Sequence, residues 1–392
     1  MKLKKIIALI FAAVLLCLTF SGCWDYRSLD ELTIVAGIAV DKGKIYPDGF
    51  TVTLEVVEAS ATDKSAVKST MLEVEGSTIF QAIYNAGGKL YNRVYFGNTD
   101  ILVISEEVAR EHGLNKVIGA FLRDTSIRDT ISVLISREKT ASEIITPQED
   151  EEIIASYNIS NIINQSTDSL NTARVLNLVR VYSKLSVGTD NIALPAFGFS
   201  QDGDGEKMPE TKGAAIFTGD KLTGFIDDSD VPYLLFVTEK IHSGAYSFFL
   251  QEEQYATLSI HSSRPKIDFA YNGDKLNLYV DVKLSASAVE LSPNYTAFSG
   301  EGISQLEQRA AEALNSGISE MIRDMQKNYK ADLFGFDDAV YRNNPALWEE
   351  VKNNWREEFA AADIIVNSDF KIKNTGLIGN YSQLTFKCIW KR

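Results

Sequence analysis

The chain reads as a multidomain mixed α/β (α+β) protein that ends in an antiparallel sheet packed by a long helix, and three observations predict this. Between residues 32 and 136, short β-branched runs are interleaved with helical patterns. After residue 250 the strands alternate, with Leu276, Leu278, Val280, Val282 and Leu284 set against Asn277, Tyr279, Asp281 and Lys283. That pattern marks an antiparallel sheet with one wet face. Ile303, Leu306, Ala310, Leu314, Ile318, Met321, Met325 and Tyr329 then recur at helical spacing. At ~1.5 Å per residue this stretch is about 40 Å long, enough to lie across that sheet.

The chain opens with Lys2, Lys4 and Lys5, followed by an apolar run from Ile6 to Phe20. The run is shorter than the ~20 apolar residues of a permanent span and reads as a targeting segment. It closes on the small pair Ser21 and Gly22 and then Cys23. That is where a bacterial lipoprotein precursor is cut and its new N-terminal cysteine acylated. An ordinary secretory signal with an incidental cysteine is the weaker alternative. Residues 1–22 are therefore expected to be removed, leaving a diacylglyceryl group on Cys23. No later stretch approaches the ~18 apolar residues of a span. The expectation is a body anchored to a membrane, not one that spans it.

From Leu32 to Val40 runs a buried strand, turned by Asp41-Lys-Gly-Lys and Tyr46-Pro-Asp-Gly49 into an alternating partner, Phe50 to Val56. Ser60 to Met71 is polar and is expected to be a loop. Ser77 to Ala86 reads as a helix with Ile79, Phe80, Ile83 and Tyr84 on its apolar stripe, ended by Gly87-Gly88. Strands are expected at Asp100–Ser105 and Thr130–Ser136, with helices opening at Ser105 and spanning Val117–Arg123. Thr146 to Glu152 is an acidic break. Ile153, Ile154, Ile159, Ile162 and Ile163 start a helical stretch, Ala173 to Leu185 continues it, and Asn191 to Phe199 is extended.

Gln201-Asp-Gly-Asp-Gly-Glu206 is a polar connector that fails as a calcium loop of EF-hand type. Counted from Asp202, the sixth place is Lys207 and the twelfth Gly213, where Gly and Glu are needed. The expected organisation is a 23–200 N-terminal region of two small α/β subdomains with a break near 146–152, a 201–211 linker, and a 212–392 C-terminal domain. In that domain Gly213–Phe217 and Leu222–Phe225 form a hairpin. Tyr255–Ile260, Lys266–Tyr271 and Leu276–Leu284 are strands. The long helix is followed by another over Pro345–Phe359, which stacks Leu347, Val351, Trp355 and Phe359. Ile364–Ile372 and Leu384–Trp390 complete the sheet.

The 392-residue chain carries a net charge of −14, and removing three lysines with the first 22 residues takes the body to −17. An acidic surface argues against nucleic acid and against electrostatic docking on anionic lipid. Of three cysteines, Cys17 leaves with the signal and Cys23 is acylated, so Cys388 has no partner for an intramolecular bridge. It alternates with Leu384, Phe386 and Trp390 and is expected to face a core.

Catalytic chemistry is thin. His112, His242 and His261 have no metal-like spacing. There is no Gly-x-Ser-x-Gly elbow, no Gly-x-x-x-x-Gly-Lys loop and no His-Glu-x-x-His. Arg123-Asp124 with Arg128-Asp129 has the chemistry to grip a carboxylate, although mutual pairing at a helix end accounts for it. Asp227-Asp228-Ser229-Asp230 lacks the further ligands of a metal site. The expectation is no enzyme activity, no catalytic residue, no cofactor and no metal.

Cys23-Trp24-Asp25-x-Arg27-x-Leu29-x-x-Leu32-x-Ile34-Val35-x-Gly37-Ile38-x-Val40-Asp41 resembles the mature start of the Ger(x)C family, the lipoprotein C subunits of spore germinant receptors. The resemblance continues through Phe121-Leu122-Arg123-Asp124 with Arg128, and through Lys212-Gly213-Ala214-Ala215-Ile216-Phe217 with Lys221-Leu222-x-Gly224. It ends with Lys330-x-Asp332-Leu333-Phe334-Gly335-Phe336, Pro345, Trp348 and Trp355. It implies a body of three mixed α/β domains, anchored by its N-terminal lipid to the outer face of the spore inner membrane. It also implies assembly with a large polytopic A-type subunit and a transporter-like polytopic B-type subunit, with no nucleic acid and no enzymatic activity. Trp24, Asp25 and Arg27, just beyond the lipid, are then the residues expected to orient the body at headgroup level. The alternative is a solute-binding lipoprotein that delivers a nutrient to a transporter. Such proteins are two lobes of parallel sheet around a cleft, which the alternating strands after residue 250 do not suggest.

Overall fold

A computed structural model describes residues 3–7, 11 and 31–374, excepting 60–66, 125, 148–152, 169, 171, 188–191, 202, 204, 206, 252–253, 274 and 293–299. Cys23, Trp24, Asp25, Arg27 and the expected strand Leu384–Trp390 with Cys388 lie outside the described residues.

Two sheets organise the described residues. The first has nine strands in the order β3-β2-β1-β5-β6-β7-β8-β9, with the short β4 also on β1. Its centre is β1 (Leu32–Lys42), β5 (Ile101–Ile104), β6 (Ser132–Ser136) and β7 (Ile192–Gln201), all parallel. Antiparallel pairs close both sides, β2 (Phe50–Ala59) with β3 (Val67–Gly76), and β8 (Lys207–Thr218) with β9 (Lys221–Ile226). The strand β4 (Arg93–Tyr95) runs parallel to the start of β1, with Leu32 opposite Arg93.

The central strands are apolar without interruption because both faces are covered. On β5, Leu102 and Ile104 point into one core and Ile101 and Val103 into another, and Val133 and Ile135 are split from Leu134 on β6 in the same way. The larger core is roofed by α1 (Ile79–Ala86), α2 (Glu106–Glu111), α3 (Leu114–Leu122) and α6 (Leu178–Val187). The smaller one lies under α4 (Ala141–Ile145) and α5 (Ala155–Asp168).

The second sheet is β10 (Gly244–Gln251), β11 (Gln254–Tyr271), β12 (Leu276–Leu291) and β13 (Asp363–Asn374), paired in that order. The first three strands are antiparallel as expected, whereas β13 runs parallel to β12. A parallel neighbour needs a crossover, and the segment carrying α8 (Gly300–Asp324) supplies it. The buried stripe of α8 is Leu306, Ala310, Leu314, Ile318, Met321 and Ile322, and the helix lies against β13 and β10 in the core of the second sheet. A π-helical turn, Met325–Tyr329, ends the helix. After it come α9 (Phe336–Asn343), α10 (Pro345–Val351), a 3-10 turn over Lys352–Asn354, and α11 (Trp355–Ala361). Between the sheets sits α7 (Val231–Thr238), which buries Val231, Leu234, Leu235, Phe236 and Val237.

Several expectations need correction. The 201–211 connector is not a linker: β7 and β8 form a hairpin with Gln201 opposite Lys207 and Phe197 opposite Thr211. Nor does the break near 146–152 divide two subdomains, because β6 before it pairs with β7 after it in the same sheet. Residues 67–71, read as loop, belong to β3. Its outward Lys68, Glu73 and Glu75 hid the strand. The two strands expected at 255–260 and 266–271 are one, irregular between Ile260 and Ser262, and Pro265 is tolerated where β11 has outrun β10. On α1 the buried stripe is Ile79, Ala82 and Ala86, so Phe80 and Tyr84 point outward.

Candidate functional site

Four carboxylates, Asp41, Glu55, Asp332 and Asp337, are buried among the described residues, and each accepts from backbone N–H groups. Asp41, at the end of β1, accepts from Ala141 N (2.7 Å) and Ser142 N (3.0 Å) at the start of α4. Burial pushes its carboxyl up, against the pull of those two donors. Glu55 on β2 is fully buried and accepts from Ala155 N (2.8 Å), Ser156 N (2.9 Å) and Ser69 Oγ (2.7 Å), tying down the start of α5. Helix N-termini carry orphan donors and partial positive charge, so both side chains are structural pins between sheet and helix.

The third, Asp332, receives Phe334 N (3.1 Å), Gly335 N (3.0 Å), Asp337 N (2.8 Å) and Trp355 Nε1 (3.3 Å). Lys330 at φ 49° and Gly335 at φ 82° wrap the backbone around it. Burial pushes both carboxyls of this pair up, and the backbone donors oppose the rise at Asp332. Burial and the Asp332 charge push Asp337 up to about 8. Phe336 packs on Phe359 and Trp348 on Trp355, with centroids 6.3 and 5.5 Å apart. The motif Asp332-x-Phe334-Gly335-Phe336 with Trp348 and Trp355 is thus a folding knot.

The histidines lie apart. His112 packs on Phe50 at 4.8 Å and burial lowers its pKa. His261 bonds Ser287 Oγ at 2.7 Å, and His242 is exposed. Asp124 holds the turn through Ser126 N (2.9 Å) and Oγ (2.6 Å), while Arg128 donates to Gly97 O at 3.0 Å. Within the anticipated Arg–Asp cluster, Asp124 therefore serves its own turn, while Arg128 ties the segment to the Gly97 loop 31 residues away. Among the described residues no group of three or more His, Cys, Asp or Glu is placed to hold a metal ion. No described helix is long and apolar enough to cross a membrane.

The segment Lys212–Phe217 has a geometric reason for its glycine. Gly213 sits at φ 76°, and a Cβ there would lie 1.9 Å from Ile226 O on β9. Two of the surface depressions among the described residues have distinct rims. One, about 440 Å³, lies where α7 meets the segment before α6 and includes the Arg174–Glu239 ion pair, Arg180 and His242. The other, about 780 Å³, lies beside β4 and is rimmed by Phe80, Tyr84, Tyr91 and Arg93. Phe80 and Tyr84, expected on the apolar stripe of α1, are exposed here. Their spacing of four on a helix whose neighbours are Ala82 and Ala86 was the available signal.

The spore germination protein N-terminal domain matches residues 25–198, and the spore germination B3/GerAC-like C-terminal domain matches residues 212–376. The chain belongs to the Ger(x)C family of spore germination proteins. Its relatives include spore germination protein KC of Bacillus subtilis (strain 168), 25% identical with 93% of this chain and 95% of that protein covered. Spore germination protein B3 of the same organism is 23% identical, with 96% and 99% covered. Spore germination protein GerQC of Bacillus cereus is 20% identical, with 91% and 95% covered. The crystal structure of the GerBC protein matches the fold with a TM-score of 0.57 and 19% identity, covering 89% of this chain and all of that one. As a Ger(x)C protein the chain is of a germinant-receptor C-subunit family, and this is not a known enzyme family.

Proposed function

We propose that this Ger(x)C protein is the non-catalytic, lipid-anchored C subunit of a spore nutrient germinant receptor. Cys23 carries the diacylglyceryl group, and the body stands on the outer face of the spore inner membrane. There it works by contact with polytopic A- and B-type subunits. The observation that carries this reading is the family match over both halves of the chain, 25–198 and 212–376. Supporting it, the buried Asp41, Glu55 and Asp332 serve as helix and turn caps. Trp24, Asp25 and Arg27 orient the body beside the lipid, where an amphipathic ring is at home.

The test is co-purification from spore membranes of the native protein and a Cys23→Ala variant, with partners identified by mass spectrometry. Two polytopic subunits are expected with the native chain, and fewer or none with the variant. Recovery of the native chain alone, or with an ATP-driven transporter, overturns the reading in favour of solute delivery. Alanine at Trp24 and Arg27 is expected to weaken assembly and germination, and unchanged behaviour removes their orienting role.

A further inference from the structure

The long hairpin of the second sheet ends in the only Asn-Gly pair of the chain, Asn272-Gly273. Its strands β11 and β12 stay in register as far as Tyr271 opposite Leu276, and Asn272 N donates to Lys275 O at 3.3 Å. Gly273 turns the chain at φ 92°, a backbone that a residue with a Cβ rarely adopts. Asn272 and Gly273 are both exposed, and nothing lies within 4 Å of the place a Cβ on Gly273 would take. Among the described residues the Gly273 N–H has no acceptor and the Asn272 side chain no partner.

The side-chain amide carbon of an asparagine can be reached by the backbone nitrogen of the next residue, and attack closes a five-membered ring. Three things ordinarily prevent it: a ladder hydrogen bond on that nitrogen, a side chain crowding it, and a fixed backbone. Asn315-Ser316 and Asn367-Ser368 are the other asparagines with a small residue after them among the described strands and helices, and both are restrained. Asn315 lies inside α8, where the following N–H belongs to the helical ladder. Asn367 lies inside β13, opposite Asp281, and donates Nδ2 to Asp281 Oδ1 at 3.4 Å. At Asn272-Gly273 none of the three restraints is present.

We propose that Asn272 is a site of spontaneous covalent modification. The Gly273 nitrogen gives up its proton and bonds to Cγ of Asn272, the Cγ–Nδ2 bond breaks, and ammonia leaves with a proton in place of that bond. Water then opens the succinimide at either carbonyl. One opening leaves aspartate on the original backbone. The other leaves isoaspartate, in which the main chain runs through the side-chain carbon. The sum is asparagine plus water giving acid plus ammonia, with no oxidant, reductant or enzyme.

Both products place a carboxylate beside Lys275, whose Nζ holds Asp363 Oδ1 at 2.6 Å and so ties the hairpin tip to the start of β13. The new charge competes with Asp363 for that ammonium. Isoaspartate also adds one methylene to the backbone at the tightest point of the hairpin, next to the pair formed by Tyr271 and the buried Leu276. The second sheet thereby carries, at its open end, a change that advances with time and with pH.

The test holds the mature chain folded in heavy-oxygen water at neutral and at mildly alkaline pH and reads its peptides by mass spectrometry. Trypsin cuts after Lys266 and Lys275 and so isolates residues 267–275. Acid is expected to accumulate at Asn272, faster at the higher pH, with heavy oxygen incorporated and both isoaspartate and aspartate formed, while Asn315 and Asn367 stay amides. The isoaspartate fraction is expected to melt below both the fresh chain and an Asn272→Asp variant, and Asn272→Gln is expected to stay unmodified. An Asn272 that stays intact in the folded chain but reacts in urea overturns the proposal, because the hairpin then protects it. Equal rates at Asn272, Asn315 and Asn367 overturn it as well, and aspartate formed without isoaspartate excludes the succinimide. An isoaspartate fraction that melts with the fresh chain overturns the effect on the hairpin.

Discussion

Ile216 and Phe217 are adjacent on β8, yet their side chains enter different hydrophobic cores. Ile216, with Ala214, faces the cluster that includes α7, α8 and the second sheet, while Phe217, with Ala215, faces the core of the first sheet. Both are fully buried. One strand therefore supplies a wall to each half of the molecule.

This arrangement makes the halves unfold together. Ile216→Ala and Phe217→Ala are each expected to cost about 2–5 kcal/mol. Chemical denaturation of the body without residues 1–22 is expected to give a single transition, lowered by either change. Two transitions, one sensitive to Ile216→Ala and the other to Phe217→Ala, would show the cores to be independent.

Gly213 is held at φ 76° with Ile226 O in the space a side chain would take. Gly213→Ala meets both the left-handed backbone and the β9 carbonyl. A loss of roughly 2 kcal/mol or more is expected, read as a fall in the denaturation midpoint. Gly203→Ala, with nothing near its Cβ position, is the matched control.

Asp41 and Glu55 each accept two N–H groups at the start of a helix. Asp41→Ala and Glu55→Ala strand those donors inside the protein, at roughly 1–3 kcal/mol each. Asp41→Asn keeps an acceptor and is expected to lose less. Faster hydrogen exchange confined to 141–145 in Asp41→Ala and to 155–168 in Glu55→Ala is the local readout.

The buried Asp332–Asp337 pair predicts a pH dependence of stability. Asp337 is pushed from the ordinary 3.8 up to about 8 by burial and by Asp332, with Asp338 adding to the rise and Lys184 of α6 opposing it. A raised acid binds a proton in the folded state that the unfolded chain has already released. Its contribution is full below about pH 4 and is lost as pH rises toward 8, at no more than ~1.4 kcal/mol per pH unit. Asp337→Asn is expected to flatten this slope and to be more stable than the native chain at pH 8. Parallel stability profiles for the two proteins between pH 5 and 8 would exclude the buried proton.

The parts of the fold visible in the sequence were those whose side chains face two different environments. The alternation of β12 and the stripe of α8 appear in the structure almost residue for residue, because one face of each is wet. The helix α7 leaves no period in the sequence because Val231 to Val237 is buried nearly all round. On α1 the pair Phe80 and Tyr84 mimicked a core stripe, since hydrophobicity alone does not tell an inward face from a contact face. The 201–206 segment has the composition of a linker, but the strands on either side decide that it is a hairpin turn. Asp332 and Trp355 were legible as a family signature, while the 3.3 Å hydrogen bond that explains their pairing depends on a chain fold 23 residues wide.

The shared strand also has a mechanical meaning. The parallel strands β1, β5, β6 and β7 all run away from the end where Leu32 stands, and β8, paired with β7, joins them to the body that carries α8. A load applied at the Leu32 end passes through hydrogen-bonded strands and packed side chains into the second sheet. Among the described residues it meets no slack tether on the way. A body of this construction is built to pass displacement from one end to the other as a single lever, unlike two beads on a string.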